Sequence, residues 1–221
     1  MKLLALETAN EQCSVSIVDA TQTLFLQQDH RARAQTQMIL PMIDQGLIQT
    51  QLSLSDLTAI AFSCGPGSFS GVRINAAVTQ ALAWANNLPV IAVSTLQALA
   101  QAAYRESQLT QVTAVLDARM KEVYIASFEL DDQQIMQAVD TEQMLSYALA
   151  ADYAKYSLVG SGSALINENE QQYQQITANA LDIAAIARFY AQKQQWVDAE
   201  HALPIYLRDN AWKKLSEQVK A

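Results

Sequence analysis

SCGPGSFSGVR, residues 63–73, follows the apolar run LTAIAFS (57–63) and leads into a stretch with helical spacing. Three of the chain's six glycines, Gly65, Gly67 and Gly71, fall within seven residues of one another. Strand, glycine turn and helix in that order are the building unit of an α/β fold. The first turn of such a helix offers unpaired N–H groups to an anion. Ser68 or Ser70 would serve equally well as the helix's own cap. The loop is not a P-loop, because Val72 follows Gly71 where that motif needs Lys and then Ser or Thr. Its spacing, G-x-G-x-x-x-G, is one residue longer than the dinucleotide fingerprint. No G-x-S-x-G nucleophile elbow occurs anywhere in the chain.

Working outward, LLALE (3–7) has the length and apolarity of a buried strand, and CSVSIVD (13–19) alternates. Cys13, Val15 and Ile17 share one face and Ser14, Ser16 and Val18 the other, which predicts a half-buried strand. TLFLQQ (23–28) makes a third. Met38, Ile39, Met42, Ile43 and Leu47 recur at helical spacing, with Pro41 predicting a kink or a late start. From Val72 to Asn87 a second helix carries Ile74, Ala77, Ala81, Leu82 and Ala85 on one stripe, stopped by Asn86, Asn87 and Pro89. PVIAV (89–93) is a strand, and Ser94 with Gln97 predicts a capping box opening a helix to about Glu106.

The plan then repeats. TAVLDARMKEVYIASFEL (113–130) is again a buried strand ending in an acid, a short turn and an alternating strand. Asp117 lies 110 residues after Glu7. LVGSGSAL (158–165) echoes the strand and glycine turn, and residues 180–192 form a helix with Leu181, Ile183, Ala184, Ala187 and Phe189 inward. The expected organisation is two lobes of similar topology, 1–107 and 108–221, with the C-terminal segment packing back on the first lobe.

The chain has 221 residues, 51% hydrophobic and 16% charged, so it can bury a sizeable core. Its net charge of −8 argues against direct nucleic-acid binding, which needs clustered Lys and Arg. The one basic spot, Lys213-Lys214, reads as a solvated helix face. Cys13 and Cys64 alone make no disulfide framework. No signal peptide or membrane span is read from the sequence, so a cytoplasmic protein is expected. His30 and His201 form no H-x-x-x-H pair and lack a neighbouring cysteine, so no metal site is expected. Glu7 and Asp117 each end a strand at a tight turn. Each has two readings: a carboxylate holding a metal-bound water beside phosphates, or a cap for the turn itself. The turns ETANEQ and DARMKE contain no glycine, and Arg119 is placed to pair with Asp117.

LLALETANEQCSVSI, GPGSFSGVR, VSTLQALA, LDARMKEVY and HALPIYLRDNAWKK occur in the order found in the tRNA threonylcarbamoyladenosine biosynthesis protein TsaB family, also called YeaZ, which this chain resembles from end to end. The resemblance implies a two-lobed actin-like ATPase fold of ribonuclease H-like type, built from a duplicated unit. It implies a non-catalytic subunit with no catalytic residue, metal or cofactor of its own. The partners implied are the catalytic paralogue TsaD, which installs threonylcarbamoyl on N6 of adenosine 37 in ANN-decoding tRNAs, and through it the ATPase TsaE. They further include a homodimer when the chain is alone, a nucleotide at a partner interface, and tRNA only through the complex. The expected partner interface is Met38, Ile39, Met42, Ile43, Arg73, Ala77 and Ala81, and Gly65, Gly67, Ser68 and Gly71 form the signature loop with a potential anion contact. The chain departs from the family where Asp usually stands (Glu7) and where His often stands (Ala34). An independent ATPase or hydrolase of the same fold is the alternative.

Overall fold

The structure, a computed structural model, describes residues 1–31 and 33–207. Lys213-Lys214 and the end of HALPIYLRDNAWKK lie outside the described residues. The first sheet contains β1 (Lys2–Glu7), β2 (Cys13–Asp19), β3 (Thr23–Asp29), β4 (Ala59–Gly65) and β5 (Val90–Ser94), with helices α1 (Gln35–Thr50) and α2 (Phe69–Asn86) between its strands. Its order is β3-β2-β1-β4-β5. The first three strands run antiparallel as a meander, and β4 and β5 join parallel to β1.

Helix α3 (Thr95–Ser107) leads to the second sheet, of β6 (Gln111–Arg119), β7 (Glu122–Leu130), β8 (Met136–Ala138), β9 (Gln143–Ser146) and β10 (Leu158–Val159). The short helices α4 (Tyr147–Tyr153) and α5 (Ser163–Ile166) flank β10, and α6 (Ala180–Gln192) follows, with a single 3-10 turn at Ala199–His201. The order β10-β6-β7-β8 repeats β4-β1-β2-β3 strand for strand, with β6 antiparallel to β7 and parallel to β10. The second sheet thus repeats the first without its last parallel strand and with β9 added along β7, and Asp117 near the end of β6 corresponds to Glu7 at the end of β1.

Alternation in β1 splits the core. Leu4 and Leu6 face α1 and α2, together with Val15, Ile17, Ile60 and Phe62. Leu3 and Ala5 face the other way, toward Ile183, Ile186 and Ala187 of α6. With helices on both faces, β2 is buried on both sides, so the expected half-buried strand is corrected. Ser14 and Ser16 are small polar residues under cover, not a wet face. Ser14 Oγ accepts the Ala180 N–H at 2.9 Å and Ser16 Oγ donates to the Phe25 carbonyl at 2.9 Å.

Three further expectations are corrected. Helix α1 starts at Gln35 and runs through Pro41, whose ring lies on the exposed face. Ser94 caps α3, accepting from the Leu96 and Gln97 amides, but no reciprocal box forms. The Gln97 amide instead donates to the Met136 carbonyl and accepts from the Tyr190 hydroxyl. In α6, Leu181 is half-exposed while Asp182 and Ile186 are buried, because the helix packs between the first sheet and α3.

The β6–β7 hairpin carries three successive left-handed residues, Arg119 (φ 64°), Met120 (φ 57°) and Lys121 (φ 63°). Side chains with a Cβ strain that region by about 1 kcal/mol or more each. Lys121→Gly is expected to stabilise the fold by about 0.5–1 kcal/mol net of the glycine's own entropy. Differential scanning calorimetry should show a rise of about 2 °C; a fall would contradict the conformational reading.

Candidate functional site

The signature loop is seated on the turn that follows Glu7. A Cβ added at Gly71 would lie 2.0 Å from the Thr8 carbonyl oxygen, and one at Gly67 would lie 2.5 Å from that of Ala9. The Ser68 N–H donates to the Ala9 carbonyl at 2.7 Å, and Thr8 Oγ1 donates to the Gly71 carbonyl at 2.8 Å. Gly65 has φ 115°, and a Cβ there would meet the Ile205 carbonyl at 2.8 Å. These glycines thus admit the chain's own backbone where a phosphate loop would admit phosphate. Ser68 Oγ caps α2, accepting the Gly71 N–H at 3.4 Å.

Glu7 is fully buried. Its Oε1 accepts the Ala9 N–H at 2.6 Å and the Asn10 N–H at 3.3 Å, the geometry of a turn cap. Burial lifts its carboxyl to about 7, against the opposing pull of Ser63 and these two amides. Asp117, on the second sheet, is half-exposed; it accepts the Arg119 N–H at 2.7 Å and pairs with the guanidinium at 2.9 Å. Both acids hold their own turns. His30 is exposed beyond β3; exposed His201 lies 3.8 Å from Glu200. Asp198, Glu200 and His201 bring one ligand atom each within 4.8 Å of one another, all at the surface. Two grooves, of about 550 Å³ between α3 and α6 and about 370 Å³ beside Gln28 and His30, touch none of Gly65, Gly67, Ser68 or Gly71.

The outer faces of α1 and α2 differ from the expected ones. Ile39, Met42 and Ile43 are buried and Met38 packs against them, so these four belong to the protein's own core. This corrects their expected place on a partner surface. The exposed side of α1 carries Leu40, Pro41, Asp44 and Ile48, with Ile48 68% exposed. On α2 the inward residues are Val72, Asn75, Ala76, Thr79 and Ala83. Asn75 turns inward because its amide donates to the Leu6 and Ser63 carbonyls and to the Ser63 hydroxyl. Ala77, Ala81, Trp84 and Ala85 are left outside, Trp84 68% exposed. Arg73 is clamped: its guanidinium lies 3.5 Å from the Phe69 ring centroid and 4.9 Å from that of Tyr206. The Ile205 N–H donates to the Cys64 carbonyl at 2.7 Å, laying residues 203–206 across the loop. Sequence reasoning missed Phe69, Trp84 and Tyr206, since only the fold shows which aromatic residues stay outside.

A family model described as TsaD, tRNA N6-adenosine threonylcarbamoyltransferase, matches residues 29–215. The tRNA threonylcarbamoyladenosine biosynthesis protein TsaB of Escherichia coli K12 is 37% identical, over 97% of this chain and 98% of its own. The chain belongs to the TsaB (YeaZ) family. TsaB of Haemophilus influenzae is 34% identical, over 97% of each chain. The solved structure of YeaZ from Pseudomonas aeruginosa superposes with a TM-score of 0.85 at 36% identity, covering 93% of this chain and 99% of that one. The two-sheet architecture is thus the TsaB fold, of the actin-like, ribonuclease H-like type that the repeated sheets display. No helix among the described residues is long and apolar enough to cross a membrane.

Proposed function

We propose that the chain acts in formation of threonylcarbamoyladenosine on tRNA, as its TsaB relatives are named, and that it does so as a non-catalytic subunit. It holds the catalytic paralogue TsaD and, through it, the ATPase TsaE, and pairs with a second copy of itself when alone. Residues 1–107 would form the partner-binding lobe and 108–221 the supporting one. The observation that carries the reading is the signature loop: Gly71, Gly67 and Gly65 abut the Thr8, Ala9 and Ile205 carbonyls, and its helix start is capped by Ser68. A loop so occupied turns the chain into α2 and sets that helix's outer face, small at Ala77 and Ala81 with Trp84 beside them, toward solvent. Alanines let a second helix approach closely, and an exposed tryptophan is a typical interface anchor. Any nucleotide would then be held between partners.

Ala77→Arg or Ala81→Arg places a charge on that exposed stripe and is expected to weaken TsaD binding tenfold or more with no loss of folding, about 1.4 kcal/mol or greater. Isothermal titration calorimetry with purified TsaD reads it directly. Unchanged affinity of a folded variant would overturn the assignment of the face. The alternative, an independent ATPase, predicts instead micromolar Mg-ATP binding and turnover by the chain alone.

A further inference from the structure

Glu7 is a carboxyl group with no solvent and only half its hydrogen bonds. Its exposure is 0%, and Oε1 is held by the Ala9 and Asn10 amides. Oε2 is buried without a hydrogen-bond partner, and no Lys, Arg or His pairs with Glu7 among the described residues. An ionised carboxylate so placed would carry an uncompensated buried charge, a state proteins avoid by keeping the group neutral. We infer that Glu7 is folded as the neutral acid and is a built-in pH-sensitive element: its ionisation destabilises the seat of the loop that leads into α2.

The seat is a short relay. The Ala9 N–H donates to Glu7 Oε1 at 2.6 Å, and the Ala9 carbonyl accepts the N–H of Ser68, the cap of α2, at 2.7 Å. Thr8, between them, holds the Gly71 carbonyl. Charge on Glu7 therefore acts one residue away from the helix start. The Ser63 hydroxyl and the Ala9 and Asn10 amides favour the charge, but burial outweighs them, and none of the other groups that feel it offers relief. Cys13 on β2 and Cys64 on β4 are thiols that burial pushes up to about 12, so both stay neutral. Ser63 on β4 and Asn75 on α2 are uncharged and bonded to each other at 2.8 Å. Asp182 on α6 is salt-bridged to Arg105, and its charge opposes that of Glu7. The rise of the Glu7 carboxyl to about 7 agrees with this geometry. Because the folded chain holds the proton more tightly than the unfolded one, the group's contribution to stability is full at and below the ordinary 4.5. It is lost as pH rises to about 7, and stays lost above that.

The test is urea denaturation of the full chain and of Glu7→Gln between pH 5 and 8. Glu7→Gln keeps the shape and removes the titration. The wild type is expected to lose on the order of a hundredfold in folding constant across this window relative to the variant, whose profile is correspondingly flatter. Parallel profiles would overturn the inference. If Glu7→Gln does not fold, carbon-13 NMR of the wild-type glutamate carboxyls decides. One carboxyl titrating near neutrality supports the neutral acid, and none titrating above pH 5 overturns it. Amide hydrogen exchange across residues 66–76, corrected for intrinsic base catalysis, reads the relay. Protection that falls between pH 6 and 8 supports it; constant protection shows that Glu7 does not govern the loop.

Discussion

Gly71→Ala is expected to lower the melting temperature by roughly 6–12 °C, a cost of about 3 kcal/mol for a chain of this size. The new methyl carbon would stand 2.0 Å from the Thr8 carbonyl oxygen and 3.1 Å from its carbon. Both are backbone atoms of a turn locked by Glu7, so neither can swing aside as a side chain would. Relief requires α2 to lift from the turn, which breaks the bonds from Thr8 Oγ1 to Gly71 and from Ser68 to Ala9. Gly46→Ala is the comparison: its added carbon meets the Phe25 ring at 2.8 Å, and a ring can rotate. A Gly71→Ala protein that melts with the wild type would show that the loop is not seated as described.

Asp182→Ala is expected to cost about 2–4 kcal/mol, the loss of charge-assisted hydrogen bonds together with a helix cap. Asp182 is 1% exposed. It takes Arg105 Nε at 2.8 Å and a second guanidinium nitrogen at 3.0 Å, joining α3 to α6 across 77 residues of sequence. The same carboxylate accepts the Asn179 N–H at 2.9 Å and completes the capping box that starts α6. Removing it leaves the Arg105 guanidinium to Glu106 alone, at 3.0 Å, and uncaps the helix that covers the first sheet. Arg105→Ala should behave differently with pH. Burial already raises the Asp182 carboxyl and the guanidinium opposes that rise, so without Arg105 the group moves further up. A raised acid stabilises at low pH and loses that stability as pH rises, so Arg105→Ala should be more damaging at pH 8 than at pH 5. Chemical denaturation at the two pH values checks it.

Much of this architecture is legible in the sequence because strands and helices carry their periods locally. The apolar run at 3–7, the alternation at 13–19 and their echo at 113–130 placed the corresponding strands and the repeat. What could not be read is which way small or polar residues face. Asn75 and Thr79 look like the wet side of α2, yet Asn75 is drawn inward by three acceptors, two of them carbonyls, on strands distant in sequence. Alanines 77, 81 and 85 fit either side, and the fold leaves them outside. The reverse holds in α1, where Met42, expected at the partner interface, is core and Met38 packs against it. The glycine loop has the composition of a phosphate cradle, and only the proximity of Thr8 and Ala9 reveals that the chain fills it. The Arg105–Asp182 pair left no local trace.

The most direct measurement is reconstitution of adenosine 37 modification with TsaD, TsaE, the threonylcarbamoyl adenylate donor and an ANN-decoding tRNA, with this chain, without it, and with Ala81→Arg. The account predicts modification only with the wild-type chain, and a severe loss with the folded variant. Equal modification without the chain, or ATP turnover by the chain alone, would contradict it.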